Sequence, residues 1–86
     1  MTSRDVSVKA IVERASEIYS ALYKTDGSQL TGAIIRACVR VYEYRARTKT
    51  FQTIVSECVR VRGDCYTSDR EIASLILALE YYHVRD

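Results

Sequence analysis

The segment that covers residues 68–82 constrains the fold more than any other part of the chain. It opens with Ser68-Asp69-Arg70-Glu71, a pattern in which the serine hydroxyl accepts from the amide three residues on while the glutamate reaches back. This capping box marks the start of a helix. An apolar stripe at helical spacing follows, formed by Ile72, Leu75, Ile76, Leu79 and Tyr82. The sequence therefore predicts a helix over about residues 69–83.

The apolar run Leu75–Leu79 faces every direction round this helix. A helix of this kind needs apolar neighbours on all sides, and a chain of 86 residues has limited surface with which to supply them. Two interpretations are open. The helix lies at the centre of a single chain, or one side of it, carried by Leu75, Ile76 and Leu79, forms the interface of a homodimer. We expect the homodimer.

A second clear helix is predicted near the N-terminus, over about residues 5–24. Its apolar positions step by three and four along Val8, Ile11, Ala15, Ile18 and Leu22. The turn-forming residues 25–29, which include a glycine, end it.

The middle of the chain fits two patterns. With helical period, one stripe comprises Leu30, Ile34, Ala37, Val41 and Tyr44. A second comprises Phe51, Ile54, Val55, Cys58 and Val59, with Gly63 as the C-terminal stop. With period two, the same region would form a β-hairpin, and its many β-branched residues favour strands. Against this alternative, the connection near residues 47–49 lacks the glycine or asparagine that tight hairpins prefer. We expect an all-α, four-helix single domain over residues 1–86, with an α+β helix-hairpin-helix fold as the alternative.

Positive charge is concentrated in the middle of the chain. The formal net charge is only +2, but residues 31–50 contain five cations and one acid, Glu43. Ten of the thirteen cations are arginine, whose planar guanidinium group forks onto phosphates or carboxylates and stacks on rings. The candidate nucleic-acid-binding residues are Arg36, Arg40, Tyr42, Tyr44, Arg45, Arg47, Lys49, Arg60 and Arg62.

Each part of this candidate site has an ordinary structural explanation as well. In a helix Glu43 can pair with Arg40 or Arg47, which would make a solvated face. Arg60 and Arg62 precede the predicted helix end, where the helix dipole favours cations. We expect a non-catalytic binding module that contacts nucleic acid, RNA before DNA. The alternative is an adaptor or inhibitor that binds an acidic partner protein, with tyrosines and arginines as its main contacts.

Other classes of protein have less support. Three cysteines and one histidine, His83, form no paired metal-ligand spacing, and no glycine-rich phosphate loop or nucleophile elbow is present, so we expect no enzyme, no metal and no cofactor. The longest apolar run, Leu75–Leu79, is far shorter than the roughly 20 residues that span a bilayer. The N-terminus has no apolar signal segment, so we expect a cytoplasmic or nuclear protein without membrane contact.

Overall fold

The computed structural model describes residues 6–84, and over that range it contains four α-helices and no strand. They are α1 (Val8–Lys24), α2 (Gln29–Arg45), α3 (Lys49–Arg62) and α4 (Asp69–Tyr81). The all-α, four-helix prediction is confirmed, and the hairpin alternative is wrong. The first helix begins at Val8 rather than near residue 5, which lies outside the described residues, and the last helix ends two residues earlier than predicted.

A hydroxyl side chain caps the start of every helix. The side-chain oxygens of Ser7, Ser28, Thr48 and Ser68 each accept a backbone N–H from the first turn. Each cap satisfies an amide that has no partner within the helix. The capping box predicted at Ser68 is confirmed, because Glu71 Oε1 also accepts the Ser68 amide at 3.0 Å. Local sequence thus fixes where all four helices begin.

Glycine supplies the predicted stop after α3. Gly63 has φ of 86°, in the left-handed region, and its N–H donates to the carbonyl oxygen of Val59 at 2.8 Å. Only glycine adopts this backbone conformation without a steric penalty. The turn between α1 and α2 uses Gly27 in the same way, with φ of 96°.

Helix α4 occupies the centre of the fold. It packs against both α1 and α2, while α3 packs against α1. The exposed fractions of Leu75, Ile76 and Leu79 are 0, 2 and 0%. The prediction that these three residues form a homodimer interface is therefore wrong. Other helices of the same chain already cover these side chains, and burial of each contributes about 1.5–3 kcal/mol that a rearrangement would have to replace.

The buried face of α2 also differs from the expected one. The residues of this helix that are buried are Thr31, Cys38 and Arg45, spaced by seven. By contrast, Leu30 and Tyr44, which belong to the stripe predicted from the sequence, are 70 and 73% exposed. The predicted helix is confirmed, but the face predicted to be buried is wrong. Two faces of α2 carry apolar residues, and only one of them packs on α4.

Two glycines provide a test of this backbone description. We expect Gly63→Ala to lower the free energy of unfolding by about 1–2 kcal/mol, because alanine is strained at positive φ. Gly32 lies inside α2, and a methyl group there would meet only the flexible end of Arg36, at 3.3 Å from Nη1. We expect Gly32→Ala to raise the free energy of unfolding by about 0.5–1 kcal/mol. Urea unfolding followed by circular dichroism measures both values, and a stabilising Gly63→Ala would contradict the left-handed cap.

Candidate binding surface and cleft

The structure separates the nine predicted nucleic-acid contacts into two groups. Two tyrosines differ sharply, since Tyr44 is exposed whereas Tyr42 is half-buried with its ring edge against Phe51 at a centroid distance of 5.6 Å. The cations that remain exposed and form no ion pair among the described residues are Arg36, Arg40, Arg47, Lys49 and Arg60. The other two cations, Arg45 and Arg62, have structural partners.

Arg45 is a core residue and not a surface contact. It is only 9% exposed, and its Nη2 donates to the backbone oxygen of Val84 at 3.3 Å. Its guanidinium carbon lies 4.5 Å from the centre of the Phe51 ring. Arginine can pair in this way with a ring inside a protein because it is planar and weakly hydrated. The prediction that Arg45 contacts nucleic acid is therefore wrong, because its guanidinium group is committed to the fold.

Arg62 joins the end of α3 to the start of α4. Its Nη1 donates to the Cys65 carbonyl oxygen at 2.9 Å, its Nη2 forms an ion pair with Glu71, and its guanidinium carbon lies 4.4 Å from the centre of the Tyr66 ring. The hydrogen bond to Glu71 raises the pKa of Arg62 above its ordinary value. Because its charge is already neutralised by Glu71, Arg62 is a poor candidate for phosphate binding.

We give the name basic row to Arg36, Arg40 and Arg47, two cations of α2 and one in the turn that follows it. The first two are one turn apart on the exposed side of α2, and Arg47 lies just beyond the last residue of the helix. Glu43 is the one acid among the described residues of this helix. The three cations of the basic row therefore outnumber the one acid, which leaves net positive charge along the second half of α2 and the turn after it.

An exposed apolar row runs beside the basic row. We call it the apolar row, and it consists of Leu30, Ala33, Ala37, Val41 and Tyr44. Positions three and four apart are neighbours on a helix surface, so Arg40 borders both Ala37 and Tyr44. The row extends about 21 Å, from Leu30 to Tyr44, at a rise of about 1.5 Å for each residue step. The stripe predicted from the sequence contains four of these residues, all except Ala33, and assigned them to the buried face. The spacing of Thr31, Cys38 and Arg45 was the available signal for the face that is buried.

A separate cleft of about 390 Å³ opens between α1, the end of α3 and the start of α4. Its deepest residues are small, Ala15 at 2% exposed and Ser74 at 1%. Val12 and Val61 contribute apolar surface, and the Tyr66 ring contributes an aromatic one. Apart from Arg62, which is one of the lining residues, no residue around this cleft was a sequence-predicted site.

The carboxylate of Glu71, which also lines the cleft, is fully used by the fold. Its Oε1 accepts from the amides of Ser68 and Thr67 at 3.0 and 3.2 Å, and its Oε2 pairs with Arg62. These hydrogen bonds, that from the Ser68 amide first, lower the pKa of Glu71 to about 2. Glu71 therefore stays ionised at all ordinary pH values and connects the helix cap to α3.

The reactive groups of the described residues are scattered or shielded. Burial raises the pKa of the Cys58 thiol to about 11 and also raises the pKa of Cys38, whereas Cys65 is exposed. Within residues 6–84 no three His, Cys, Asp or Glu side chains are grouped so that they could hold a metal ion. None of the four helices over the same range has the length and apolar character needed to cross a membrane.

Comparison of the chain with protein-family models, with curated proteins and with solved structures produced no match. The geometry of α2 and of the cleft is therefore the basis for any functional proposal.

The depressed pKa of Glu71 predicts how stability depends on pH. The value falls from 4.5 to about 2 in the folded chain, so between these values the unfolded chain binds more protons. The stabilisation is thus fully present above about pH 4.5 and is lost as the pH falls toward 2. We expect Glu71→Gln to lower the free energy of unfolding by about 1 kcal/mol at pH 7, since it loses the ion pair, and the difference to shrink in acid.

Urea unfolding at a series of pH values measures this difference. The matched control is Glu57→Gln, because Glu57 is exposed on α3 and forms no hydrogen bond or ion pair among the described residues. A gap between wild type and Glu71→Gln that stays constant from neutral to acid pH would show that ionisation of Glu71 does not stabilise the fold.

Proposed function

We propose that the protein is a non-catalytic binding module that holds an acidic amphipathic helix of a partner protein against the exposed face of α2. The observation that carries this proposal is the juxtaposition of the apolar row with the uncompensated basic row. The notable feature is that large apolar side chains, Leu30 at 70% and Tyr44 at 73% exposed, lie on the outside of a small domain. Contiguous apolar surface with a polar rim is typical of protein interaction sites.

The shape and composition of the face fit a helix. Its apolar row is straight, four turns long and low in the middle, where Ala33 and Ala37 allow close approach of another helix. Tyrosine and arginine are the residue types that most often dominate binding energy at interfaces, and Tyr44 and Arg40 lie next to each other here. A partner helix with a matching apolar stripe would cover the row along its length.

The charges indicate an acidic partner. Arg36 and Arg40 lie along one border of the apolar row and Arg47 follows the end of α2, so a carboxylate row on the partner helix would meet them. A second copy of the same chain fits less well. It would bring another arginine row with a single acid, Glu43, and would leave both rows without opposite charges. Homodimerisation through α2 is accordingly an outcome that the experiment must distinguish.

Nucleic acid is the second candidate partner. The observation that favours it is the set of exposed cations without ion pairs among the described residues, which includes Lys49 and Arg60 as well as the basic row. The exposed ring of Tyr44 could stack on an unpaired base, which puts RNA before DNA. It ranks second because phosphate contacts give no reason to expose Leu30 and Val41.

A cytoplasmic or nuclear location stays a prediction from the sequence.

The decisive variant is Leu30→Gln, which removes apolar surface from α2 without changing charge. The binding probe is a designed helical peptide with adjacent leucine and glutamate rows, measured by fluorescence anisotropy. We expect Leu30→Gln to weaken peptide binding by about tenfold or more, since burial of a leucine side chain is worth about 1.5–3 kcal/mol. Labelled single-stranded and duplex RNA and DNA are measured in parallel, and RNA binding would be unaffected by this variant.

A charge variant and its matched control complete the test. Arg36→Gln with Arg40→Gln removes two charges from the basic row, and Lys9→Gln with Lys24→Gln removes two from α1. We expect only the arginine variant to weaken peptide binding, and more so at low salt. Arg45 is left unchanged because it is buried.

RNA binding without peptide binding would favour the second candidate, and a dimer mass in light scattering that Leu30→Gln abolishes would favour a second copy. Absence of binding to every probe at low salt, together with a monomer mass, would contradict the proposal.

A further inference from the structure

We infer that the cleft between α1, α3 and α4 is a second binding site, which takes a small, uncharged and largely apolar molecule with a planar body. The cleft uses no residue of the apolar or basic rows of α2, so this inference is independent of the proposed function. Its volume of about 390 Å³ falls within the range of about 300–1,000 Å³ typical of ligand pockets.

The cleft exists because small residues form its floor. Protein interiors are packed densely and contain few voids larger than a water molecule. Here Ala15 of α1 and Ser74 of α4 are almost completely buried, yet open space lies over them and is not filled by a larger side chain. Val61 at the end of α3 is 41% exposed at the edge of this space. A ligand that fills the cleft would cover this valine.

The polar groups around the cleft favour an uncharged ligand. Arg62 and Glu71 neutralise each other, and Arg62 also donates to a backbone carbonyl oxygen. Lys9 and Glu13 carry opposite charges one turn apart on α1. A charged molecule would give up its hydration without meeting an uncompensated opposite charge, which is costly in a partly enclosed site.

The aromatic wall favours a planar ligand. Tyr66 lines the cleft, and its ring is held by the guanidinium group of Arg62 at 4.4 Å from the ring centre. Its hydroxyl oxygen is buried and has no hydrogen-bond partner among the described residues, so the wall that it offers is ring surface. Burial raises the pKa of Tyr66, which keeps the phenol uncharged. Offset or edge contact with this ring, together with Val12 and Val61, suits a flat apolar body.

Three probes of the same shape but different charge test the inference. They are naphthamide, naphthoate and naphthylmethylammonium, added to isotope-labelled protein while the backbone amide resonances are followed by NMR. We expect saturable shifts with naphthamide at the amides of Val12, Ala15, Val61 and Ser74, and binding at least about tenfold weaker for both charged probes. Failure of naphthamide to produce saturable shifts there, or tighter binding of a charged probe, would overturn the inference.

A matched pair of variants ties the binding to this cleft. Ser16 lines the cleft from the exposed surface of α1, and Ser20 is exposed one turn further along the same helix but does not line it. We expect Ser16→Phe to fill the mouth and reduce naphthamide affinity by about tenfold or more, and Ser20→Phe to leave the affinity unchanged. Both side chains are exposed, and circular dichroism verifies that each variant keeps its helical content. Equal affinity of wild type and Ser16→Phe would place the binding elsewhere and overturn the inference.

Discussion

The burial of α4 is the constraint on which the other three helices depend. Its middle turns have no polar side, so the chain must supply apolar surface around the whole helix, and it does so with α1 and α2 packed directly against α4. Leu75 and Leu79 have no exposed surface as a result. With one chain alone enclosing α4, little apolar surface is left over for the outer sides of the surrounding helices. Exposed large apolar side chains occur on several elements, but on α2 three of them, Leu30, Val41 and Tyr44, lie along one face, which is the reason for the proposal made for this helix.

Several arginines contact aromatic rings and so contribute to the fold itself. Four arginines have guanidinium groups within 5 Å of a ring centre: Arg14 over Tyr81, Arg45 over Phe51, Arg62 over Tyr66 and Arg70 over Tyr23. The Arg14 and Arg70 contacts connect α1 with α4 at opposite ends of α4. These four arginines therefore have structural contacts in the fold, and the proposed function rests on other, exposed arginines.

Binding at the two candidate sites would depend on different interactions. On α2, binding would combine burial of Leu30 and Tyr44 with charge attraction along the basic row, so affinity would depend on salt. In the cleft, the charges of the lining residues are paired or balanced, so affinity would depend on shape and apolar contact. Because the cleft lies between α1, α3 and α4, occupation of the cleft and of α2 need not compete.

Local sequence determined where α4 begins and where α3 ends. The capping hydroxyl of Ser68 and the left-handed Gly63 act within one turn of chain, so their effects follow from sequence alone, and both were predicted correctly. The helical period likewise identified four amphipathic segments. Only the tertiary structure decided which face of α2 is buried, because a helix with two apolar faces satisfies the same periodicity in either rotation. It also decided that Arg45 belongs to the core, through a carbonyl oxygen 39 residues away, and that Leu75, Ile76 and Leu79 are covered by their own chain. These outcomes depend on contacts between distant segments, which no local pattern contains.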